Sequence, residues 1–266
     1  MNRLTEHLKL LRIKNEKALI LFITAGDPTL EDTSEIMKAL AKNGADCIEL
    51  GMPFSDPIGD GPIIQRSTAR ALKNHIKLDD IFHLVKIFRQ GFATPIVLMG
   101  YYNPIVRYGI DRFVSACKEN GIDGLIVADL PYEEGELLER QCRSQNVHLI
   151  YLLAPEPGSQ RTKAILAASS GFVYCVSHYG ITGVDQKPDE RLDEIVTSLR
   201  SMTDLPIAVG FGISSAETAK AACRSADGVI VGSWLIKELE NGLSKPAVAA
   251  DFTRELKRAI QETGSQ

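Results

Sequence analysis

The sequence predicts a single (β/α)8 TIM barrel with an extra N-terminal helix, spanning residues 1–266. Eight short apolar runs rich in β-branched residues recur along the chain, and segments with helical periodicity separate them. Strands that are apolar throughout and alternate with amphipathic helices are typical of a parallel sheet covered by helices. No composition shift or Pro/Gly/Ser linker divides the chain, which favours one barrel over the alternative, a doubly wound open sheet.

The predicted strands are residues 18–24, 47–50, 96–99, 124–127, 148–152, 172–176, 207–209 and 228–231. Helical periodicity is clearest at residues 30–42, 78–89, 111–120, 133–145 and 216–224. Ser214 and Glu217 predict a capping box at the start of the last of these helices. Long loops are predicted after the second and sixth strands, at residues 52–77 and 178–189. In a barrel both loops rise from the C-terminal face, where active sites are built.

Charge and cysteine content exclude several classes of protein. Thirty Lys and Arg against 34 Asp and Glu give a net charge of -4, without long runs of one sign, so neither nucleic acid nor a membrane surface is an expected partner. The five cysteines are scattered and form no C-x-x-C pair, which argues against disulfides and structural zinc. Charges interrupt the leucines of the first 17 residues, so no signal peptide is predicted and a cytoplasmic location is expected.

Two acidic residues are candidates for catalysis. Glu49 stands near the end of the second predicted strand, where a carboxyl aimed into a barrel mouth loses hydration and its pKa rises, as suits a general acid or base. Asp60 lies in the following loop, which three prolines and two glycines make stiff and tightly turned. The alternatives are a Glu49 paired with a helix or solvent and an ordinary Asp-Gly turn at Asp60.

Glycines after the last two strands predict a phosphate site. Gly210 and Gly212 follow the seventh strand, and Gly232 and Ser233 follow the eighth, where many barrels bind phosphate. Glycine lets backbone N–H groups approach phosphate oxygens, and a helix beginning near Trp234 would direct its positive end toward them. Structural turns are the alternative for each glycine pair.

Other residues leave two interpretations open. Thr182 and Gly183, in the loop after the sixth strand, either close over a ligand as a lid or form a turn. Tyr101 and Tyr174 either line an aromatic pocket or belong to the core. The five histidines show no metal-ligand spacing, so no metal is predicted.

Three segments closely resemble the tryptophan synthase alpha chain family: residues 21–28 (LFITAGDP), 48–65 (IELGMPFSDPIGDGPIIQ) and 209–213 (VGFGI). The similarity continues in register through residues 101–104 (YYNP), 127–131 (VADLP), 180–183 (GITG) and 232–233 (GS), and so covers essentially the whole chain. The resemblance implies a barrel that cleaves indole-3-glycerol phosphate into indole and glyceraldehyde 3-phosphate by a retro-aldol step, without a cofactor.

The resemblance also implies residue roles. Glu49 would be the acid/base group, and Asp60 would bond the indole N–H and stabilise the positive charge that develops on the ring. The positions implied around the indole are Phe22, Met99, Tyr101, Tyr174 and Phe211. Those implied at the phosphate are Gly183, Gly212, Gly232 and Ser233, with Thr182 counted among the substrate-binding residues.

The family's partner is the beta chain, a pyridoxal-phosphate enzyme that receives indole through a tunnel, and an α2β2 heterotetramer is expected. The positions that match the face toward that partner are Pro53, Asp56, Asn103, Pro104, Asp129 and Pro131. The chain departs from the family's pattern at His178, where an arginine commonly follows the serine of the lid motif.

Two rival functions remain. Another phosphate-binding barrel enzyme of sugar or indole metabolism is one, because fold and phosphate loops do not fix chemistry. Such an enzyme typically carries a lysine at a strand end, which none of the predicted strands does. A non-catalytic regulatory subunit is the other, and the presence of both Glu49 and Asp60 argues against it.

Overall fold

A computed structural model describes residues 2–154, 156, 159–176, 190–210 and 212–262. The described strands are β1 (Ala18–Thr24), β2 (Cys47–Gly51), β3 (Ile96–Gly100), β4 (Gly124–Val127), β5 (His148–Ile150), β6 (Leu152–Leu153), β7 (Val173–Val176), β8 (Ile207–Gly210) and β9 (Gly228–Val231). The described α-helices are α1 (Arg3–Ile13), α2 (Leu30–Lys42), α3 (Pro62–Leu72), α4 (Leu78–Phe88), α5 (Tyr102–Tyr108), α6 (Ile110–Asn120), α7 (Glu136–Ser144), α8 (Gln160–Ala168), α9 (Glu190–Arg200), α10 (Ala216–Ala222), α11 (Ser233–Asn241) and α12 (Lys245–Gln261).

The strands close into a parallel barrel. They follow the order β5-β4-β3-β2-β1-β9-β8-β7-β6, and every pairing between them is parallel. Only Tyr151 separates β5 from β6, so the two edges of the sheet are halves of one predicted strand, residues 148–152. One half pairs with β4 and the other with β7. The predicted barrel is therefore confirmed, with its fifth strand broken at Tyr151.

Two hydrophobic layers surround the sheet. Side chains alternate across a strand, so residues two apart face the same side. Leu19, Leu21 and Ile23 of β1 face outward into the layer beneath the helices. The interior layer contains Ala18, Ile20, Cys47, Val97, Ile126, Ile150, Phe172, Tyr174, Ala208 and Ile230. Among the described residues, no helix is both long and apolar enough to cross a membrane.

The N-terminal helix α1 closes the barrel end where the strands begin. Its apolar face adds Leu4, Leu8 and Leu11 to the interior layer. The Asn2 side chain accepts a hydrogen bond from the Leu4 N–H and thus caps the helix. The same side chain donates to the carbonyls of Asp123 at 2.8 Å and Asn146 at 2.9 Å, which precede β4 and β5. The site must therefore open at the opposite end of the barrel.

Helix α3 lies inside the segment that we predicted to be a long loop, residues 52–77. Pro62 begins this helix at a position where its missing N–H costs no hydrogen bond. The residues that α3 buries are Ser67, Thr68 and Ala71. Because these are small or polar, the sequence shows no apolar periodicity here, and the helix escaped prediction.

The capping box of α10 is one residue later than predicted, so the assignment to Ser214 and Glu217 is wrong. The Ser215 side chain accepts a hydrogen bond from the Thr218 N–H, and the Thr218 hydroxyl oxygen accepts one from the Ser215 N–H. Ser215 has the extended backbone, φ -155° and ψ 165°, that a capping residue needs. Thr218 performs the role that is usually given to Glu or Gln.

Asp46 ties the two ends of the chain to the barrel. Its side chain is nearly fully buried and accepts hydrogen bonds from His7 of α1 at 2.9 Å and from the Leu19 N–H of β1 at 2.7 Å. The Lys257 ammonium of α12 donates to it at 2.5 Å. One carboxylate therefore holds two helices and a strand together.

We expect Asp46→Ala to lower the free energy of unfolding by about 3–5 kcal/mol. It leaves the buried Leu19 N–H without its partner and takes the carboxylate from the Lys257 ammonium, which keeps the Lys17 carbonyl as an acceptor. Urea denaturation measures the change. Asp251→Ala is the control, since Asp251 is exposed and pairs only with Arg254 on the same helix among the described contacts; its effect should stay below about 1 kcal/mol. Equal effects of the two substitutions would contradict this role for Asp46.

Candidate active site

Glu49 points into the barrel interior near the carboxyl end of β2. In the sheet it lies between Phe22 of β1 and Val97 of β3, and it faces the same side as Cys47 of the interior layer. The residue is 1% exposed, and its Oε2 atom has no hydrogen-bond partner among the described residues. Burial, with a smaller contribution from the nearby Asp60 carboxylate, raises the pKa of Glu49 to about 8. At neutral pH this carboxyl group is mainly protonated and able to donate.

Asp60 is held by Tyr101. The hydroxyl oxygen of Tyr101 accepts a hydrogen bond from the Gly59 N–H at 3.0 Å. Burial raises the pKa of Tyr101 to about 12, so the hydroxyl keeps its proton. Burial also raises the pKa of Asp60, and a hydrogen bond with Tyr101 opposes that rise. Tyr101 thus fixes the loop backbone through Gly59 and favours the ionised form of Asp60.

A small cavity of about 20 Å³ lies beside Asp60. Among the residues that line it are Phe22, Met99 and Tyr101, all of them predicted around a bound ring. An apolar cavity of about 150 Å³ holds benzene, so an aromatic ring enters this site only if side chains move.

Tyr174 lies deeper in the barrel than the cavity. It is 5% exposed and belongs to the interior layer. A Cβ atom placed on Gly210 would lie 2.4 Å from Cε1 of Tyr174, so the ring packs directly on the Gly210 backbone. Burial raises the pKa of Tyr174 well above its ordinary value, and the neighbouring Glu49 adds to the shift. Tyr174 therefore serves as part of the core and also as a neighbour of the acidic group.

The predicted phosphate residues follow two adjacent strands. Gly232 is the N-cap of α11, and Ser233 is the first residue of that helix. Gly212 follows β8 with a φ of 76°, a left-handed conformation that favours glycine. Because β8 pairs with β9 in parallel, both turns lie at the carboxyl end of the barrel. The first N–H groups of any helix have no partner within that helix, so the start of α11 is suited to binding an anion there.

Several predicted site residues lie outside the described residues. These are His178, Thr182, Gly183 and Phe211.

The residues predicted at a partner interface lie in the segments that follow β2, β3 and β4, which are neighbours in the sheet. Asn103 and Pro104 are in the first turn of α5, and the others are in loops. Asp56, Asn103, Asp129 and Pro131 are exposed, and Pro53 and Pro104 are half-buried. Asp129 accepts a hydrogen bond from the Tyr102 N–H at 2.8 Å, which joins the loop after β4 to the start of α5. Ile58 adds a large apolar side chain that is 83% exposed in the loop after β2.

Two threonines of the cavity were not predicted as site residues. Thr24 ends β1 and is 2% exposed, and its hydroxyl has no partner among the described residues. Thr68 of α3 also lines the cavity. In the sequence a threonine in an apolar strand is indistinguishable from an ordinary β-branched strand residue. Within the described residues no group of three His, Cys, Asp or Glu side chains is arranged to bind a metal.

Burial of Glu49 predicts a pH dependence of stability. Folding raises its pKa from an ordinary 4.5 to about 8, so the resulting stabilisation is complete below pH 4.5 and is lost as the pH rises through 8. Glu49→Gln cannot ionise, and relative to the wild type it should gain about 4 kcal/mol of unfolding free energy between pH 5 and pH 9. Urea denaturation at the two pH values measures this, with Glu119→Gln as an exposed control. Parallel pH profiles for the wild type and Glu49→Gln would contradict the burial argument.

Comparison with known proteins identifies the family of this chain. The family model described as "Tryptophan synthase alpha chain" matches residues 8–264. The alpha chain of Petrotoga mobilis is 45% identical over 248 residues, which cover 92% of this chain and 96% of that protein. The alpha chain of Desulfosudis oleivorans is 43% identical over 264 residues, which cover 98% of this chain and 100% of that one.

Solved structures agree with the sequence relatives. Tryptophan synthase subunit alpha from Legionella pneumophila superposes with a TM-score of 0.92 at 38% identity, covering 98% of this chain and 99% of that one. A structure of Mycobacterium tuberculosis tryptophan synthase gives a TM-score of 0.87 at 34% identity, covering 98% of both chains. Because the family model and these relatives cover nearly the whole chain, the protein belongs to the tryptophan synthase alpha chain family.

Proposed function

We propose that this chain catalyses the retro-aldol cleavage of indole-3-glycerol phosphate to indole and glyceraldehyde 3-phosphate. The observation that carries the proposal is Glu49, a buried carboxyl group whose pKa is raised to about 8 and which has Asp60 close by. One of its oxygens has no hydrogen-bond partner among the described residues. A general acid works best when its pKa lies near the operating pH, and this one does.

The reaction begins with proton transfer. The protonated Glu49 donates to C3 of the indole ring, which makes C3 tetrahedral and leaves a positive charge shared with the ring nitrogen. The Glu49 carboxylate that results then accepts the proton of the neighbouring glycerol hydroxyl. As the O–H bond breaks, a C=O bond forms and the C3–carbon bond breaks, and its electron pair restores the aromatic indole. One residue thus returns to its starting protonation state.

Asp60 supplies the opposite charge. An ionised carboxylate accepts the indole N–H and stabilises the positive charge that develops on the ring. Tyr101 supports this role by hydrogen bonding to Asp60 and to the loop backbone at Gly59. In a site closed from water this electrostatic interaction stabilises the charge more strongly than it would at the protein surface.

The remaining assignments follow the same proposal. Phe22, Met99 and Tyr174, with Phe211, would surround the indole. Gly212, Gly232 and Ser233, with Thr182 and Gly183, would hold the phosphate at the start of α11. The partner would be a beta chain that uses pyridoxal phosphate and takes up the indole, in an α2β2 assembly, and it would contact the loops after β2 and β4 and the start of α5.

Two alternatives are weaker. A different phosphate-binding barrel enzyme would typically place a lysine at a strand end, and none of the described strands ends in one. A subunit without catalytic activity would have no use for a buried, unpartnered acid, whose burial is unfavourable for stability once it ionises.

Glu49→Gln is the direct test of the proposal. The amide is nearly isosteric but cannot transfer a proton, so we expect indole formation to fall by about 10²- to 10⁴-fold while the fold persists. In the wild type, cleavage should decline above pH 8 as Glu49 loses its proton. Indole release from synthetic substrate measures both effects, with Glu119→Gln as the matched control. A Glu49→Gln protein that keeps more than about a third of wild-type turnover would refute the assignment.

The beta chain should stimulate cleavage through the loop after β2. If it binds the closed arrangement of that loop more tightly, a stimulation of ten- to hundredfold needs only about 1.4–2.7 kcal/mol of coupling. Asp56 is exposed on this loop, so Asp56→Ala should lose the stimulation and keep the basal rate. Asp251→Ala, on α12, is the control. Tight binding of the beta chain to the wild type with unchanged turnover at saturating substrate would exclude this mechanism.

A further inference from the structure

A network of ion pairs joins three elements on the carboxyl side of the barrel. Arg70 of α3 donates to both carboxylate oxygens of Asp27, from Nε at 2.7 Å and from Nη2 at 2.8 Å. Its remaining nitrogen, Nη1, donates to Glu240 of α11 at 2.8 Å. Asp27 belongs to the loop that follows β1. One guanidinium therefore connects the β1 loop, α3 and α11.

Further contacts hold the network in one geometry. The Ser67 hydroxyl donates to Asp27 at 2.5 Å, and Arg66 donates to Glu240 at 3.2 Å. The Asp27 side chain is 9% exposed, whereas those of Arg70 and Glu240 are about a third exposed. The planar guanidinium matches a carboxylate with two parallel hydrogen bonds, which sets direction as well as distance. Arg70 thus fixes the orientation of α3 and not merely its proximity.

Helix α3 is directly attached to the segment that carries Asp60. It begins at Pro62, two residues after Asp60, and the Gln65 side chain of its first turn donates to the Asp60 carbonyl at 2.8 Å. Ile64 and Thr68 of the same helix line the cavity beside Asp60. A shift or rotation of α3 would therefore move Asp60 relative to the other walls of the cavity.

Helix α11 is attached to the predicted phosphate site. It begins at Ser233, and Glu240 lies near its other end. The contact between Arg70 and Glu240 therefore ties the helix that starts at the phosphate site to the helix that follows Asp60. These two helices come from distant parts of the chain and have no covalent connection nearby.

We propose that Arg70 is a positioning residue that holds α3 and α11 in register, so that Asp60 and the phosphate-binding start of α11 engage the two ends of one substrate. The proposal rests on the proposed function, because a fixed distance between these two groups matters only for a ligand that spans them. Arg70 itself does not touch the substrate. Its effect on the rate comes through α3, since a displacement of about 1 Å by a remote mutation can lower a rate about 10²-fold.

The experiment compares four proteins with the wild type: Arg70→Gln, Glu240→Gln, the double variant, and Arg200→Gln as the control. Arg200 also pairs with an aspartate, Asp227, at 2.8 Å, but this pair precedes β9, at the opposite end of the barrel. For each protein, kcat and KM for indole-3-glycerol phosphate are measured well below the melting temperature, which is recorded separately.

Arg70→Gln should lower kcat about 10- to 100-fold in folded protein. Glu240→Gln should lower it less, and the double variant should be no slower than Arg70→Gln, because both substitutions break the same connection. Arg200→Gln should leave kcat within about twofold. A merely structural Arg70 would instead lower the melting temperature and leave kcat and KM of the folded protein unchanged.

Wild-type kcat in folded Arg70→Gln would overturn the proposal, and so would effects of Arg70→Gln and Glu240→Gln that simply multiply. If Arg70→Gln does not fold, Glu240→Gln decides, since Glu240 is at the surface and its loss leaves the Arg70–Asp27 pair intact. A wild-type chain that releases no indole would instead refute the proposed function, and the positioning role with it. An active wild type with unaffected Arg70 and Glu240 variants would refute the positioning role alone.

Discussion

The burial of one carboxyl group, that of Glu49, is the constraint on which the site depends. A carboxylate in an apolar interior is unfavourable, so the group responds by keeping its proton to about pH 8. Its Oε2 atom has no described partner, which leaves it free for a ligand. A hydrogen bond or an ion pair at that oxygen would make the fold more stable and the acid less useful. The neighbouring strands supply apolar side chains and glycines there, and not cations.

The barrel geometry explains why such a group is tolerated at this place. Side chains of parallel strands alternate between the interior and the helices, so β2 turns Glu49 inward together with Cys47, while Ile48 and Leu50 pack outward in the larger layer. Beneath Glu49 lie the apolar side chains of the interior layer and of α1. Above it, Phe22, Met99 and Tyr101 surround a cavity that is smaller than an aromatic ring. The apolar surroundings that raise the pKa of Glu49 are therefore the same surroundings that would enclose an aromatic ring bound above it.

The sequence predicts the sheet better than it predicts the surroundings of the site. Strand positions can be predicted from apolar runs, because the strands of a parallel sheet buried on both faces are apolar along their whole length. Glu49 can be identified for the same reason, because it is a charged residue within an otherwise apolar run. Helix α3 has no such signal, because the residues it buries, Ser67, Thr68 and Ala71, are small or polar. Thr24 also has no signal in the sequence, because its hydroxyl, which has no partner in the described part of the chain, becomes notable only when the fold shows what surrounds it. The glycines after the last two strands predict a phosphate site from their position alone, and the loop composition makes Asp60 a candidate. The specific role of Asp60 at the indole N–H came from the family resemblance, because loop residues have no periodicity that could reveal it.

Helix α3 is the element that connects the separate parts of the site. The loop before it carries Asp56, which is exposed, and Asp60, which lines the cavity. The helix begins directly after this loop, at Pro62. Through Arg70 the helix then contacts the β1 loop and α11. Since the bonds between Arg70 and Asp27 are largely buried and bidentate, α3 has few orientations that keep them all. A partner that binds at Asp56 therefore cannot rotate α3 freely. It must either bend the glycine-containing loop, residues 52–61, or break the Arg70 contacts. Bending the loop would move Asp60 while the Arg70 contacts keep α3 in place against α11, so the phosphate end of the site would stay fixed.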